Sequence, residues 1–246
     1  MLAVDDLVVS YGRGPKRVPA VNGITFRIDA GECVGFIGAN GAGKSTTLKV
    51  LMGFIYADSG NAEVCGLPAG APESRRSIGY LPEVALYYPF MKAGELLELY
   101  GALGGMARGD LRSRIPEVLK QVGLDGRQGQ LLKTFSKGMQ QRLGIAQALI
   151  TKPDLLIMDE LTSGLDPLGR YDLHEIIRGL KKDGRTIFFS SHELSEVEAL
   201  CDRVILIDRG RIIREVTQAE LRTVGRERSL EAFFIEQVRS GGTGDA

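Results

Sequence analysis

Apolar residues in this chain come in short runs at strand spacing and longer runs at helical spacing, and for most of its length the two alternate. Ala3 to Tyr11 reads as a strand. Ala20 to Ile28 reads as its partner, with Ile24, Phe26 and Ile28 facing inward and Gly12 to Lys16 as the loop between. Cys33 to Ile37 is a continuous apolar run of strand length, followed by a glycine-rich stretch and then by a helical run, Thr47 to Met52. Ile78 to Leu81 is a short strand stopped at Pro82. Helical patterns follow, placing Leu96, Leu99, Tyr100 and Leu103 on one face and repeating at Ile115, Val118, Leu119 and Val122 beyond Gly104-Gly105. Pro116 requires the second of these helices to begin near it or to kink there. After a long amphipathic helix that follows Ser136-Lys137-Gly138, buried strands recur at Leu155 to Met158, Arg185 to Ser191 and Val204 to Ile207. Helices at Tyr171 to Leu180 and Leu194 to Cys201 separate them. Ser229 to Arg239 reads as a closing helix and 241–246 as a flexible tail.

The glycine-rich stretch, Gly38-Ala39-Asn40-Gly41-Ala42-Gly43-Lys44-Ser45-Thr46, matches the pattern Gly, four residues, Gly-Lys-Ser/Thr. It lies between a strand and a helix, the context this phosphate-binding loop needs. Its glycines let successive N–H groups turn inward on a phosphate at the positive end of the helix. Lys44 then reaches the β- and γ-phosphates, and the Ser45 hydroxyl is a ligand of Mg²⁺. Asp159 and Glu160 close the strand 155–158, where a buried parallel strand presents ligand-facing groups. This places Asp159 on Mg²⁺, through water, and Glu160 against the attacking water. Of two histidines, His174 lies mid-helix among charges and reads as surface, while His192, just past a strand, is placed to contact a γ-phosphate. Ser136-Lys137-Gly138 precedes a long helix and is either a simple helix cap or a second anion-binding helix start. Tyr11 is placed either to stack on a base or to pack half-buried.

Composition narrows the class. The 246 residues suit one core with an inserted lobe, and Lys plus Arg balances Asp plus Glu at 31 each, without the basic excess of a nucleic-acid binder. Cys33, Cys65 and Cys201 form no Cys-x-x-Cys pair and read as small core residues. No apolar stretch approaches the roughly 20 residues that span a bilayer, and the start of the chain lacks a basic segment followed by an apolar one, so the protein is expected to be kept in the cytosol.

Taken in order, these motifs resemble the nucleotide-binding subunit of ATP-binding cassette transporters over nearly the whole chain. Tyr11 is similar to the adenine-stacking aromatic, Gly38 to Thr46 to the Walker A loop, and Glu83 stands at the Q-loop glutamine. Ser136 to Gln140 resembles the signature, Leu155 to Asp159 Walker B, Glu160 the catalytic glutamate, Ser163 to Asp166 the D-loop and His192 the switch histidine. Phe135 to Met139 and Ser190 to Leu194 look most like the exporter branch with a separate permease. The resemblance implies an α/β P-loop NTPase: a mixed, largely parallel central sheet, an N-terminal antiparallel β subdomain, and an inserted helical subdomain over 84–150, within one domain, 1–240. It also implies an ATPase using ATP and Mg²⁺, with Ser45, Glu83 and Asp159 at the metal. Two copies pair head to tail, so that Ser136, Gly138 and Gln140 of one face the nucleotide of the other. The resemblance further implies that the chain works at the cytoplasmic face of the membrane, held there by an integral permease, and no nucleic-acid partner is expected.

Three departures stand out: Glu83 for glutamine, Lys137 and Met139 for two signature glycines, and Leu161 for the proline that usually follows the glutamate, a change expected to loosen the D-loop. The alternative is a soluble ATPase of the same superfamily acting on ribosomes or DNA. That type carries two cassettes or a long insertion, which this chain lacks. A nucleotide-binding module without turnover is disfavoured by Lys44, Asp159, Glu160 and His192 together.

Overall fold

The structure, a computed structural model, describes residues 1–227 and 229–241. In chain order, β1 (Leu2–Tyr11) and β2 (Val18–Ile28) are followed by β3 (Cys33–Ile37), α1 (Lys44–Leu51), β4 (Ser59–Val64), β5 (Leu67–Pro68), α2 (Pro72–Arg76) and β6 (Ile78–Leu81). Three helices come next: α3 (Ala93–Leu103), α4 (Arg108–Gln121) and α5 (Lys137–Leu149). Alternation resumes with β7 (Leu155–Met158), α6 (Pro167–Lys182), β8 (Thr186–Ser191), α7 (Leu194–Leu200), β9 (Arg203–Asp208) and β10 (Arg211–Thr217), before α8 (Gln218–Glu227) and α9 (Leu230–Gly241).

The strands form two sheets. One is antiparallel, in the order β2-β1-β4-β5. The other runs β10-β9-β3-β8-β7-β6 and is parallel except for the β10–β9 pair. This is the mixed, largely parallel sheet beside an antiparallel one that the sequence led us to expect. Successive side chains of a strand point to opposite faces, and the central sheet uses both. Leu155, Ile157 and Phe188 pack with α1 and the antiparallel sheet, whereas Leu156, Met158, Ile187 and Phe189 pack beneath the helices that follow β6.

Three rings join the two sheets close to the glycine-rich loop. Phe26 of β2 lies 5.7 Å from both Phe36 of β3 and Phe188 of β8, and those two are 5.5 Å apart. On the other side, Arg114 is 4% exposed inside α4. Its Nη2 donates to the Leu149 carbonyl at 2.6 Å, which occupies a carbonyl that the end of α5 leaves without a helical partner.

Several local expectations are corrected. α4 starts at Arg108 and carries Pro116 inside it, so the helix does not begin near Pro116. Ile115, Val118, Leu119 and Val122 are buried as expected, but Leu99 and Leu103 of α3 are 43% and 75% exposed; Leu97 and Gly101 turn inward in their place. Cys33 and Cys201 are core residues, whereas Cys65 is half-buried in a turn with φ 53°. His174 is half-buried too, and its Nε2 is buried without a hydrogen-bond partner among the described residues. Burial, then the charges of Arg178 and Arg170, holds that imidazole below its ordinary range. α8 was not anticipated. Of the tail, Gly241 ends α9 and 242–246 lie outside the described residues.

Phe36 and Phe188 are both fully enclosed. Phe188→Ala is therefore expected to lower stability by about 3–5 kcal/mol, read by urea denaturation, because the two sheets cannot collapse onto the space left. A loss below about 1 kcal/mol would mean that the rings do not hold the sheets together.

Candidate active site

β3, β8, β7 and β6 are adjacent and parallel, so their C-terminal ends share one edge of the sheet. Ligand sites of parallel sheets form at that edge. Each exit delivers a residue expected from the sequence: the glycine-rich loop after β3, His192 after β8, Asp159 and Glu160 after β7, and Glu83 after β6. All but Asp159, which is buried behind Ser45 and Ser190, line a cavity of about 500 Å³. Tyr11, Asn40, Gly41, Gly43, Lys44, Ser45, Thr46, Glu83, Glu160 and His192 line it, with Ala20 and Ser163 in addition.

The loop is built on glycine where no other residue fits. Gly43 caps α1 with φ 110°, and a Cβ there would sit 2.5 Å from the Ala20 carbonyl oxygen. A Cβ on Gly38 would meet the Ile207 carbonyl oxygen at 2.2 Å. Gly38 and Ala42 do not line the cavity. Gly38 gives its carbonyl to Lys44 Nζ at 2.7 Å, and Ala42 is buried with its N–H donated to Ala39. Tyr11 is 46% exposed at the rim, its hydroxyl 3.4 Å from that of Thr46.

Lys44 is 5% exposed, and a buried ammonium needs partners. It has the carbonyls of Gly38 and Ala39, at 2.7 and 3.3 Å, and Glu160 Oε1 at 3.3 Å. The other oxygen of Glu160 lies 2.6 Å from His192 Nδ1. Since a carboxylate only accepts, the ring donates from Nδ1 and turns Nε2 outward. Glu160 takes φ 51°, a left-handed conformation that side chains seldom adopt. Its N–H donates to Ser190 Oγ at 2.9 Å, and that hydroxyl donates in turn to Asp159 Oδ1 at 2.6 Å. Ser45 Oγ donates to the same Oδ1 at 3.1 Å. Burial, with the charge of Asp159 added, pushes the neighbouring Tyr80 hydroxyl up to about 12.

Ser45 and Asp159 offer hard oxygen donors side by side. Among the described residues no group of three or more His, Cys, Asp or Glu side chains is arranged for a metal. That donor set suits an ion that keeps waters and shares phosphate oxygens, as Mg²⁺ does, and not an all-protein cage.

The expected signature residues stand apart. Ser136 caps α5, accepting from the Met139 N–H at 3.3 Å, and Gln140 Nε2 donates to the Phe135 carbonyl at 3.3 Å. Neither these two nor Gly138 lines the cavity. Leu161 is fully buried, and its carbonyl accepts from Gln141 Nε2 at 2.8 Å, which ties the chain down just past Glu160. Sequence reading passed over Ser190, although a hydroxyl inside an apolar strand is a usable sign of a buried partner.

A protein-family model described as "ABC transporter" matches residues 21–163. The chain is 41% identical over 208 residues to an uncharacterized ABC transporter ATP-binding protein of Synechocystis, covering 84% of this chain but only 59% of that relative's length. It is 40% identical over 223 residues to the linearmycin resistance ATP-binding protein LnrL of Bacillus subtilis (90% and 70% of the two chains). It is 36% identical over 225 residues to the Nod factor export ATP-binding protein I of Ralstonia nicotianae (91% and 69%). Among solved structures it is similar to a dimeric post-hydrolysis ATP-binding cassette bound to ADP and Pi, with TM-score 0.79 and 25% identity over 89% of this chain and 99% of that one. A phosphate loop, two acids and a histidine converging on one sheet edge are what such a cassette requires, and the chain belongs to the ABC transporter family as an ATP-binding cassette.

Proposed function

We propose that this chain is the ATP-binding and ATP-hydrolysing subunit of a membrane exporter, driving a separate permease through ATP-dependent head-to-tail pairing with a second cassette. The observation that carries the reading is the position of Glu160, between Lys44 at 3.3 Å and His192 at 2.6 Å on the wall that the phosphate loop shares. Phosphoryl transfer asks for little covalent chemistry from a protein, and is catalysed by positioning and charge. The loop N–H groups and the positive end of α1 receive the phosphates, Lys44 balances charge on the β- and γ-oxygens, and Tyr11 stacks on the base at the rim. Ser45 and Asp159 would hold Mg²⁺, with Glu83 on the same cavity wall as Ser45, and the ion would supply neutralisation of charge on the phosphate oxygens.

Glu160 orients the attacking water and takes its proton as the new O–P bond forms and the bond from the γ-phosphorus to the bridging oxygen breaks, leaving ADP and Pi. His192 holds Glu160 through Nδ1. Nε2 is left to face the γ-phosphate.

Ser136 is exposed at the start of α5, and nothing lies within 4 Å of where a Cβ of Gly138 would project. These groups, with Gln140, are free to face the cavity of a second cassette, which supports the head-to-tail pair. The segment after Glu83 exposes Val84, Leu86, Tyr88 and Phe90, each at least 64%. Beside it, Arg75, Tyr80, Tyr100, Leu103 and Gln147 line a cleft of about 640 Å³ between α2, β6, α3 and α5. An apolar patch on a water-facing surface supports a partner, here the permease. No helix among the described residues is long and apolar enough to cross a membrane, so the proposed place at the cytoplasmic face depends on that partner. The named relatives, a resistance and an export protein, support the exporter reading over the ribosome or DNA alternative.

Glu160→Gln is expected to cut ATP turnover by roughly 10²- to 10⁴-fold while ATP binding is retained, and Lys44→Ala to weaken binding itself. Steady-state hydrolysis and titration with a fluorescent ATP analogue separate the two, and near-normal turnover of E160Q would remove Glu160 from its role. The same variant, trapped with MgATP in its host and extracted in mild detergent, is expected to bring down an integral membrane protein in stoichiometric amount. Recovery of ribosomes or DNA with no membrane protein would overturn the transporter reading.

A further inference from the structure

Glu196 lies on α7, four residues past His192, and is 1% exposed, yet the chemistry described above gives it no part. Its Oε1 accepts from the hydroxyl of Thr162, which is itself 2% exposed and stands two residues past Glu160. Its Oε2 has no hydrogen-bond partner among the described residues. The side chain borders a second, smaller cavity of about 110 Å³ whose wall also includes Glu160, Thr162, Ser163 and His192. A buried carboxyl with one oxygen unpartnered is a liability for folding alone, since a leucine would fill the space without the desolvation cost. What it does accomplish is geometric: one side chain joins the loop that carries Glu160 to the helix that follows His192.

We propose that Glu196 is a positioning residue of the hydrolytic site, clamping the loop behind Glu160 to the helix behind His192 so that the Glu160–His192 pair keeps its geometry. The inference rests on the ATPase reading above. The groups facing the carboxyl are Thr162 and Glu160 from the loop, Ser191 at the end of β8, Glu193 and His192 ahead of α7, and Arg170 from α6, which pairs with Glu193 at 3.0 Å. Burial is the main influence and raises the acid to about 7. The Ser191 hydroxyl opposes this, Glu193 adds to it, and smaller effects of Arg170 and Glu160 again oppose and add. The native chain therefore holds a proton between the ordinary 4.5 and about 7 that the unfolded chain releases. Its contribution to stability falls as pH rises through that window and stays lost above it. Below about 7 the clamp is a neutral acid; above it, the clamp is a charge beside two other carboxylates.

The test compares the full chain with E196Q and E196A by hydrogen exchange at Ser163 to Leu165 and by MgATP hydrolysis from pH 6 to 8.5. E196A is expected to speed exchange at these amides by about 10-fold or more, as loss of one buried hydrogen bond implies. It is also expected to lower kcat by about 10- to 100-fold with KM for ATP little changed, because misplacement affects the reacting geometry and not ground-state binding. E196Q keeps the acceptor and restores slow exchange and a kcat close to that of wild type. Its stability advantage over wild type widens from pH 5 to 8. Unchanged exchange in E196A, or exchange in E196Q faster than in wild type, overturns the proposal, and the second of these decides it alone if E196A does not fold. Wild-type protein that binds but does not hydrolyse MgATP would sink the ATPase reading instead, and exchange would still report whether the clamp exists.

Discussion

The buried ammonium of Lys44 is the constraint around which this cassette is arranged. At 5% exposure it cannot rely on water, and two backbone carbonyls do not neutralise it. Its carboxylate partner among the described residues, Glu160, is supplied from far along the chain and from a strand that is not even adjacent: β8 lies between β3 and β7. Only a parallel arrangement brings both exits to the same edge, and that same arrangement places His192, at the exit of the intervening strand, against the other oxygen of Glu160. Strand order, ring packing beneath the loop and the glycine cap of α1 can all be read as conditions for this one contact.

Glu160 bears the cost of the arrangement in its own backbone. A left-handed conformation at a residue with a side chain costs on the order of 1–3 kcal/mol and persists only where surrounding contacts over-determine it. Here they do. Ser190 takes the N–H, Lys44 and His192 take the two oxygens, and the next residue, Leu161, is buried with its carbonyl held by Gln141. The leucine that stands where proline is usual does not leave this point loose. Burial and a side-chain hydrogen bond do the work that a fixed φ would otherwise do.

What sequence could reveal was local and periodic. Gly38 to Thr46 declares its conformation by glycine spacing, and Asp159-Glu160 and His192 declare theirs by following apolar runs, so the residues around the cavity were legible before any coordinates. The parts that stayed hidden depend on which elements meet. Nothing in the pattern places β8 between β3 and β7. Ser190 looked like an ordinary strand residue until its hydroxyl was seen bridging Asp159 and Glu160. Arg114, a charge the pattern does not single out, is buried because α5 ends beside it. Pro116 shows the same limit: packing of Leu111, Ile115, Val118 and Leu119 carries α4 through a residue that, taken locally, could equally start a helix. α8 carries little apolar signal beyond Leu221 and Val224.

The chain carries two helix starts suited to anions, and they are not independent. α1 begins at Lys44, which is paired with Glu160; Leu161 follows covalently, and its carbonyl is held by Gln141 in the second turn of α5. α5 begins at Ser136, one turn earlier, and its far end is fixed to α4 by Arg114. Any shift of the loop behind Glu160 is therefore felt at the exposed start of α5 through one covalent step and one buried hydrogen bond. On the reading proposed here, the first helix start binds the chain's own nucleotide and the second meets that of a partner. The short path between them is a physical means by which events at one phosphate group reach the surface that recognises the other.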